Sequence, residues 1–191
     1  MAHLEIEKFI NTLSCPLCKS ALNVLGNSLI CSNSHCFDIA KSGYVNLIPN
    51  RSNSSVYSKN SFFHRSSILE NGMYDHILRD IETLILNNKI RGTVVDAGCG
   101  EGYFSRCLSK NTKNNLIALD ISKDSIYLAS KLKKSINQLY LVSDIANIPL
   151  KDSSIDLILN IFAPANYSEF SRVLKGNAFL IKVVPNSEHL K

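Results

Sequence analysis

Apolar residues in the C-terminal two-thirds of the chain fall into short unbroken runs, separated by stretches in which they recur every three or four positions. The runs at 93–97, 116–120, 139–142, 155–160 and 178–184 read as strands. The segments at 103–108, 122–134 and 167–174 read as helices between them. Upstream, Tyr74, Ile77, Leu78, Ile81, Leu84 and Ile85 keep helical spacing, as do Phe62, Phe63, Ile68 and Leu69, and Gly72 separates the two helices. Strands alternating with helices predict an α/β fold, a parallel sheet with helices on both faces. The first 49 residues follow a different pattern, built around cysteines. The expected organisation is a small domain over 1–49, a polar linker over 50–58 containing Arg51-Ser52-Asn53-Ser54-Ser55, and an α/β domain over 59–191.

The first α/β junction carries candidate chemistry. Val94-Val95-Asp96-Ala97-Gly98-Cys99-Gly100-Glu101-Gly102 places an acidic residue at a strand end and glycines at alternate positions of the turn that follows. Glycine lets backbone approach a ligand closely, and the next helix begins with open N–H groups. The spacing D-x-G-x-G-x-G differs from the dinucleotide fingerprint G-x-G-x-x-G. It resembles the first motif of class I methyltransferases, which bind S-adenosylmethionine. A zwitterionic methionine end suits a carboxylate, Asp96, beside open amides around Gly98. Asp120 ends the next apolar run about 20 residues on, where nucleotide folds place an acid on the ribose hydroxyls. Its alternative role is to cap the helix starting near Ser122. Asp144 follows the third run, where class I enzymes often contact the adenine amino group, and turn capping is the alternative there.

Cysteine spacing changes the picture of the N-terminus. Cys15-Pro16-Leu17-Cys18 is a C-x-x-C knuckle, and Cys31 and His35 follow in a C-x2-C-x12-C-x3-H pattern suited to tetrahedral zinc. Cys36 adjoins His35, and either residue can be the fourth ligand. A unit this small buries little apolar surface, so metal ligation would supply folding energy. Four protein ligands make the site structural. Cys107 reads as a packed thiol, and Cys99 as a residue presenting its backbone.

Charge and hydropathy narrow the setting. A net charge of +5 permits an anionic partner without establishing one. No apolar run approaches the roughly 20 residues of a membrane span. The N-terminal MAHLEIEKFI has no signal-peptide pattern, so no membrane association and a cytoplasmic location are expected.

Several segments together are more specific. Ser14 to Cys18, Phe37-Asp38-Ile39-Ala40-Lys41-Ser42-Gly43-Tyr44-Val45-Asn46-Leu47, Ala97 to Tyr103 and Ile161-Phe162-Ala163-Pro164 resemble the large-subunit ribosomal RNA guanine-N1 methyltransferases. The resemblance implies methyl transfer from S-adenosylmethionine to N1 of a guanine in a 23S rRNA hairpin. In some members that mark protects against macrolide-type antibiotics. It implies zinc on Cys15, Cys18, Cys31 and His35, favouring His35 over Cys36. It implies cofactor contacts at Tyr74, Gly100, Glu101 and His189. Asn160 follows the fourth strand and is a candidate to hydrogen-bond the target base, with Phe162 stacking on it. No residue identifies itself as the base that removes the N1 proton.

Departures from the family pattern accompany the match. Gly176-Asn177-Ala178 replaces a Pro-Gly-Gly turn, and Asn160 stands where family members carry a basic residue. The class I core is expected to lack its last two strands, leaving the fifth strand as an uncovered edge and a homodimer as one way to cover it. Rival readings are a non-catalytic zinc- and RNA-binding protein with a vestigial core, and a class I methyltransferase acting on a small molecule.

Overall fold

The computed structural model describes residues 2–48, 69–133 and 135–186. The expected linker, the helix through Phe62 and Phe63, and His189 lie outside them. Short elements open the chain: α1 (Ala2–Glu7), β1 (Leu22–Leu25), β2 (Ser28–Cys31), β3 (Cys36–Asp38) and β4 (Val45–Asn46). The α/β alternation follows as α2 (Asp75–Asn87), β5 (Thr93–Ala97), α3 (Tyr103–Asn111), β6 (Asn115–Asp120), α4 (Lys123–Leu132), β7 (Gln138–Val142), β8 (Ile155–Ile161), α5 (Tyr167–Val173) and β9 (Leu174–Val183). Gly72, at φ +85°, lies in the turn ahead of α2. Ser122 caps α4 by accepting the Ser125 amide at 3.3 Å.

β1, β2 and β3 form an antiparallel meander. The larger sheet runs β4-β7-β6-β5-β8-β9, and every pair in it is parallel. The chain winds outward from β5 through β6 and β7, then returns to the other side for β8 and β9. The strand order reverses between β5 and β8, so the loops at their C-terminal ends diverge and leave a crevice. β9 stands at the end of the sheet among the described residues. Its register breaks between the Ile155–Leu174 and Leu157–Phe179 pairs, so the Gly176-Asn177 segment bulges opposite Asp156.

Period-two alternation sorts the strand residues onto two faces. Val95, Ala97, Ile117, Leu119, Leu139 and Leu141 point one way, onto Ile6, Phe9, Leu13, Phe170 and Val173. Val94, Leu116, Leu157 and Leu159 point the other way, onto Leu78, Ile81 and Ile85 of α2 and Phe104 and Leu108 of α3. On that second side Ala118, Tyr140 and Val142 meet Tyr44, Ile126 and Ala129. Both faces are thus apolar, which is why the strands read as unbroken runs.

The cysteine-containing segment is built into this arrangement. Val45 pairs with Leu141 and Asn46 with Val142, so β4 extends the parallel sheet beyond β7. The Leu13–Leu150 bridge and the bonds Ser14 N–H to Pro149 O and Lys151 N–H to Thr12 O, both 2.9 Å, stitch the start of the knuckle to the loop after β7. A two-residue strand gives no periodicity to read, so this junction was not visible in the sequence. No helix among the described residues is long and apolar enough to cross a membrane.

Candidate active site and metal centre

Two tight turns aim the metal ligands. In the first, the Lys19 amide donates to Cys15 O at 2.8 Å, and Lys19 takes a left-handed φ of +59°. In the second, the Ser34 amide donates to Cys31 O at 2.9 Å with Ser34 at φ +61°. The turns converge so that the ligand atoms of Cys15, Cys18, Cys31 and His35 all lie within 4.8 Å of one another. The Cys18–Cys31 sulfur separation is 3.7 Å, and His35 Nδ1 lies 3.5 Å from Cys15 Sγ and 3.4 Å from Cys31 Sγ. Zinc at ~2.3 Å from sulfur and ~2.0 Å from nitrogen gives tetrahedral edges of about 3.8 and 3.5 Å, so the donor set fits the ion. The Ser20 hydroxyl and amide hold the Cys18 thiol down at about 6, towards the thiolate that a metal needs. Cys36 starts β3 on its exposed face, because alternation turns Phe37 inward instead.

The second site lies in the crevice. Tyr74, Asp96, Gly98, Cys99, Glu101 and Phe162 line one small cavity, closed on its apolar side by Leu69, Phe104 and Ile161. The glycine turn approaches the 160–164 loop so closely that a Cβ on Gly98 would lie 2.4 Å from the Ala163 Cβ. Gly98, Gly100 and Gly102 all have positive φ, at 85°, 53° and 72°. A turn of this shape needs residues without a Cβ penalty.

The amides of this turn differ from the sequence expectation. Gly98 N–H and Cys99 N–H both donate to Leu119 O, at 2.8 and 3.0 Å, and Gly102 N–H donates to Cys99 O at 2.9 Å. Gly100 N–H donates to Asp120 Oδ2 at 2.9 Å. They are bonded within the protein because buried N–H groups need acceptors. At these four positions the turn offers a ligand space and neighbouring carboxylates. Asp120 uses its other oxygen to accept the Ser122 amide at 2.8 Å, so it ties the two βα turns together. A carboxylate has roughly four acceptor directions, so it retains capacity for hydroxyl donors. Asp144 accepts the Ala146 amide at 2.9 Å in a local turn at the end of β7.

Asp96 is buried and accepts the Ser105 hydroxyl. Burial pushes its carboxyl up to about 6, aided by the Asp120 charge and opposed by the Ser105 bond. The folded chain therefore binds more protons than the unfolded chain between pH 3.8 and about 6, and this carboxyl lowers stability as pH rises through that window. Asp96→Asn should raise the melting temperature at pH 7.5, with a markedly smaller gain at pH 4. Equal gains at both pH values would show that ionisation is not the cause.

Tyr74 and Phe162 face each other with ring centroids 5.2 Å apart. Phe162 holds a left-handed φ of +52°, a conformation that costs a bulky residue about 1–3 kcal/mol. Asn160, expected after the strand and facing the target base, is instead fully buried near the end of β8 and does not line the cavity: its Nδ2 donates to Ala97 O and Pro164 O, both at 2.9 Å. Lys182 Nζ donates to Asn160 Oδ1 at 2.6 Å. So the structure brings Tyr74, Asp96, Gly98, Glu101 and Phe162 around one cavity and sets Gly100, Asp120 and Asp144 at neighbouring strand ends. Ser105 and Lys182 were not singled out in the sequence. The signal for Lys182 was a charged residue interrupting the apolar 178–184 run.

Residues 13–56 match the zinc-ribbon family described as RlmA, N-terminal, and residues 95–181 match a methyltransferase domain family. A Bacillus subtilis (strain 168) protein assigned as a 23S rRNA (guanine-N(1)-)-methyltransferase is 39% identical over 186 residues, covering 92% of this chain and 65% of the relative. A Micromonospora griseorubida protein with the same assignment is 30% identical over 199 residues, covering 93% and 67%. This chain thus spans about two-thirds of the length of these relatives. A solved structure from Methanococcus maripaludis, assigned as an S-adenosyl-L-methionine-dependent methyltransferase, superposes with a TM-score of 0.56 at 24% identity, covering 70% of this chain and 67% of that one. With a class I methyltransferase sheet and a zinc ribbon joined in one chain, the protein belongs to the family of 23S rRNA guanine-N1 methyltransferases.

Proposed function

We propose that the chain transfers a methyl group from S-adenosylmethionine to N1 of a guanine in a 23S rRNA hairpin. The observation that carries this reading is the crevice between the glycine turn after β5 and the 160–164 loop after β8, in a chain that also holds a zinc ribbon. Tyr74, Asp96, Gly98, Gly100 and Glu101 would hold the methionine end of the cofactor. Asp120 would hold the ribose hydroxyls and Asp144 the adenine amino group. The family resemblance adds His189. The bound cofactor supplies an electrophilic sulfonium methyl group. The chain's task is to position the acceptor in line with it and keep water out. Phe162 presents a ring at the cavity for the target base, and Asn160 holds the loop that carries it. Cys15, Cys18, Cys31 and His35 would hold zinc as a structural ion. The ribbon supports RNA as the partner, because zinc knuckles commonly recognise single-stranded bases. A cytoplasmic location, a homodimer and protection against macrolide-type drugs complete the proposal.

The test is calorimetry of S-adenosylmethionine with the zinc-loaded chain, followed by primer extension on a treated 23S rRNA hairpin. A methyl group on N1 blocks the Watson–Crick edge and stops the extending polymerase. Saturable one-to-one binding and a stop at one guanine are expected. Absence of cofactor binding would overturn the proposal.

A further inference from the structure

Lys182 lies towards the end of β9, between Ile181 and Val183, whose side chains pack against the apolar side of the sheet. Its ammonium reaches across to β8, donating to Asn160 Oδ1 at 2.6 Å and to Ala163 O at 3.1 Å. Among the described residues no carboxylate forms an ion pair with it. The charge is therefore used as a hydrogen-bond donor inside the loop that follows β8.

That loop needs holding. Asn160 is fully buried, and its amide nitrogen is committed to Ala97 O before the glycine turn and to Pro164 O at the far end of the loop. Its amide oxygen has Lys182 as donor. Phe162 sits at the apex in a left-handed conformation that a bulky side chain disfavours, with its amide donating to Val183 O at 3.0 Å. Without Lys182, the buried Asn160 oxygen and the Ala163 carbonyl both lose a donor, and a buried acceptor without one drives rearrangement. The loop would then relax towards a more favourable φ at Phe162, and the ring would leave the cavity.

We propose that Lys182 is the positioning residue of the methyl-acceptor side: by donating to Asn160 and Ala163 it locks the 160–164 loop and so fixes the Phe162 ring against the cofactor cavity. The proposal rests on the methyl-transfer reading above for the identity of the acceptor, while the lock itself is independent of it.

The experiment compares the zinc-loaded full chain with Lys182→Met, Lys182→Gln and Lys182→Arg. Hydrogen exchange of the peptide spanning 160–166 should quicken about tenfold or more in the Met and Gln variants and stay near the parent in the Arg variant, which keeps two donors. The affinity for S-adenosylmethionine should change by less than about threefold, while kcat on the RNA hairpin falls about tenfold or more with KM little altered. Arginine should restore most of that rate. The lock is refuted if 160–166 stays protected in both the Met and Gln variants. A positioning role is refuted if cofactor affinity falls in step with the rate, because the change would then be a general loss of structure. If the parent chain exchanges as expected but methylates nothing, the methyl-transfer reading fails and the exchange data still decide the lock.

Discussion

Replacing Cys31 with serine should abolish stoichiometric zinc and lower the melting temperature of the whole chain by about 10 °C or more. Cys31 is almost fully buried, and its sulfur lies 3.7 Å from Cys18 Sγ and 3.4 Å from His35 Nδ1, separations that one shared zinc ion would span. Structural zinc contributes about 10–16 kcal/mol in isolated finger peptides, against about 5–15 kcal/mol for the net stability of a typical domain. The meander around the ion is too small to hold itself without the metal. Its loss would spread. Ile6, Phe9 and Leu13 cover the face of the main sheet formed by Val95, Ile117 and Leu139, and β4 covers the β7 edge. If even about 5 kcal/mol of that cover is lost, the midpoint falls by roughly 10–20 °C in a chain of this size. Cys36→Ser is the control: it faces outward from β3 and should leave zinc content and melting unchanged. Elemental analysis and scanning calorimetry read both quantities. A Cys31→Ser protein without zinc that melts where the parent does would show that the ribbon contributes nothing to the α/β core.

The second large effect is expected at Gly98. Gly98→Ala should weaken S-adenosylmethionine binding about 100-fold or more. Two independent costs act at this position. The backbone sits at φ +85°, where an L residue loses about 1–2 kcal/mol. The new Cβ would lie 2.4 Å from the Ala163 Cβ, well inside van der Waals contact, with little flexible side chain there to yield. The glycine turn, which would hold the methionine end of the cofactor, must shift away from Ala163, and its own wall of the cavity moves with it. The free chain would relieve this strain by relaxing the turn, so binding would have to restore it; at about 1.4 kcal/mol per decade, a restoring cost near 3 kcal/mol accounts for the loss. Gly176→Ala is the matched control, since its Cβ would meet no atom within 4 Å and its φ is not in the positive range. Titration calorimetry on both variants checks the pair. Binding by Gly98→Ala within a few-fold of the parent would mean that the crevice is not where the cofactor lies.

Much of the scaffold was legible because its signals are local. Each strand of the α/β core announced itself as an apolar run, since a strand buried on both faces has no polar side to interrupt it. Gly98, Gly100 and Gly102 were readable as a tight turn because alternate glycines have few other uses at a strand end. Cys15, Cys18 and Cys31 are readable from spacing alone; spacing leaves His35 and Cys36 open, the family resemblance favours His35, and the pleat of β3 turns Cys36 outward. Asn160 is legible by position, but its partners Ala97 and Lys182 belong to distant segments, and no local pattern connects them.

By itself, then, the order of residues determined the alternation of strands and helices, the glycine turn with its acidic neighbours, and a metal knuckle ahead of them. Period, spacing and backbone allowance act over a few residues and leave their mark in sequence. The tertiary structure alone decided that β4 joins the main sheet, that the amides of Gly98, Cys99, Gly100 and Gly102 are spent inside the protein, and that a lysine from β9 completes the segment at the end of β8. Those outcomes depend on which buried donors and acceptors meet once distant segments are packed together, and burial obliges each of them to find a partner wherever the fold places one.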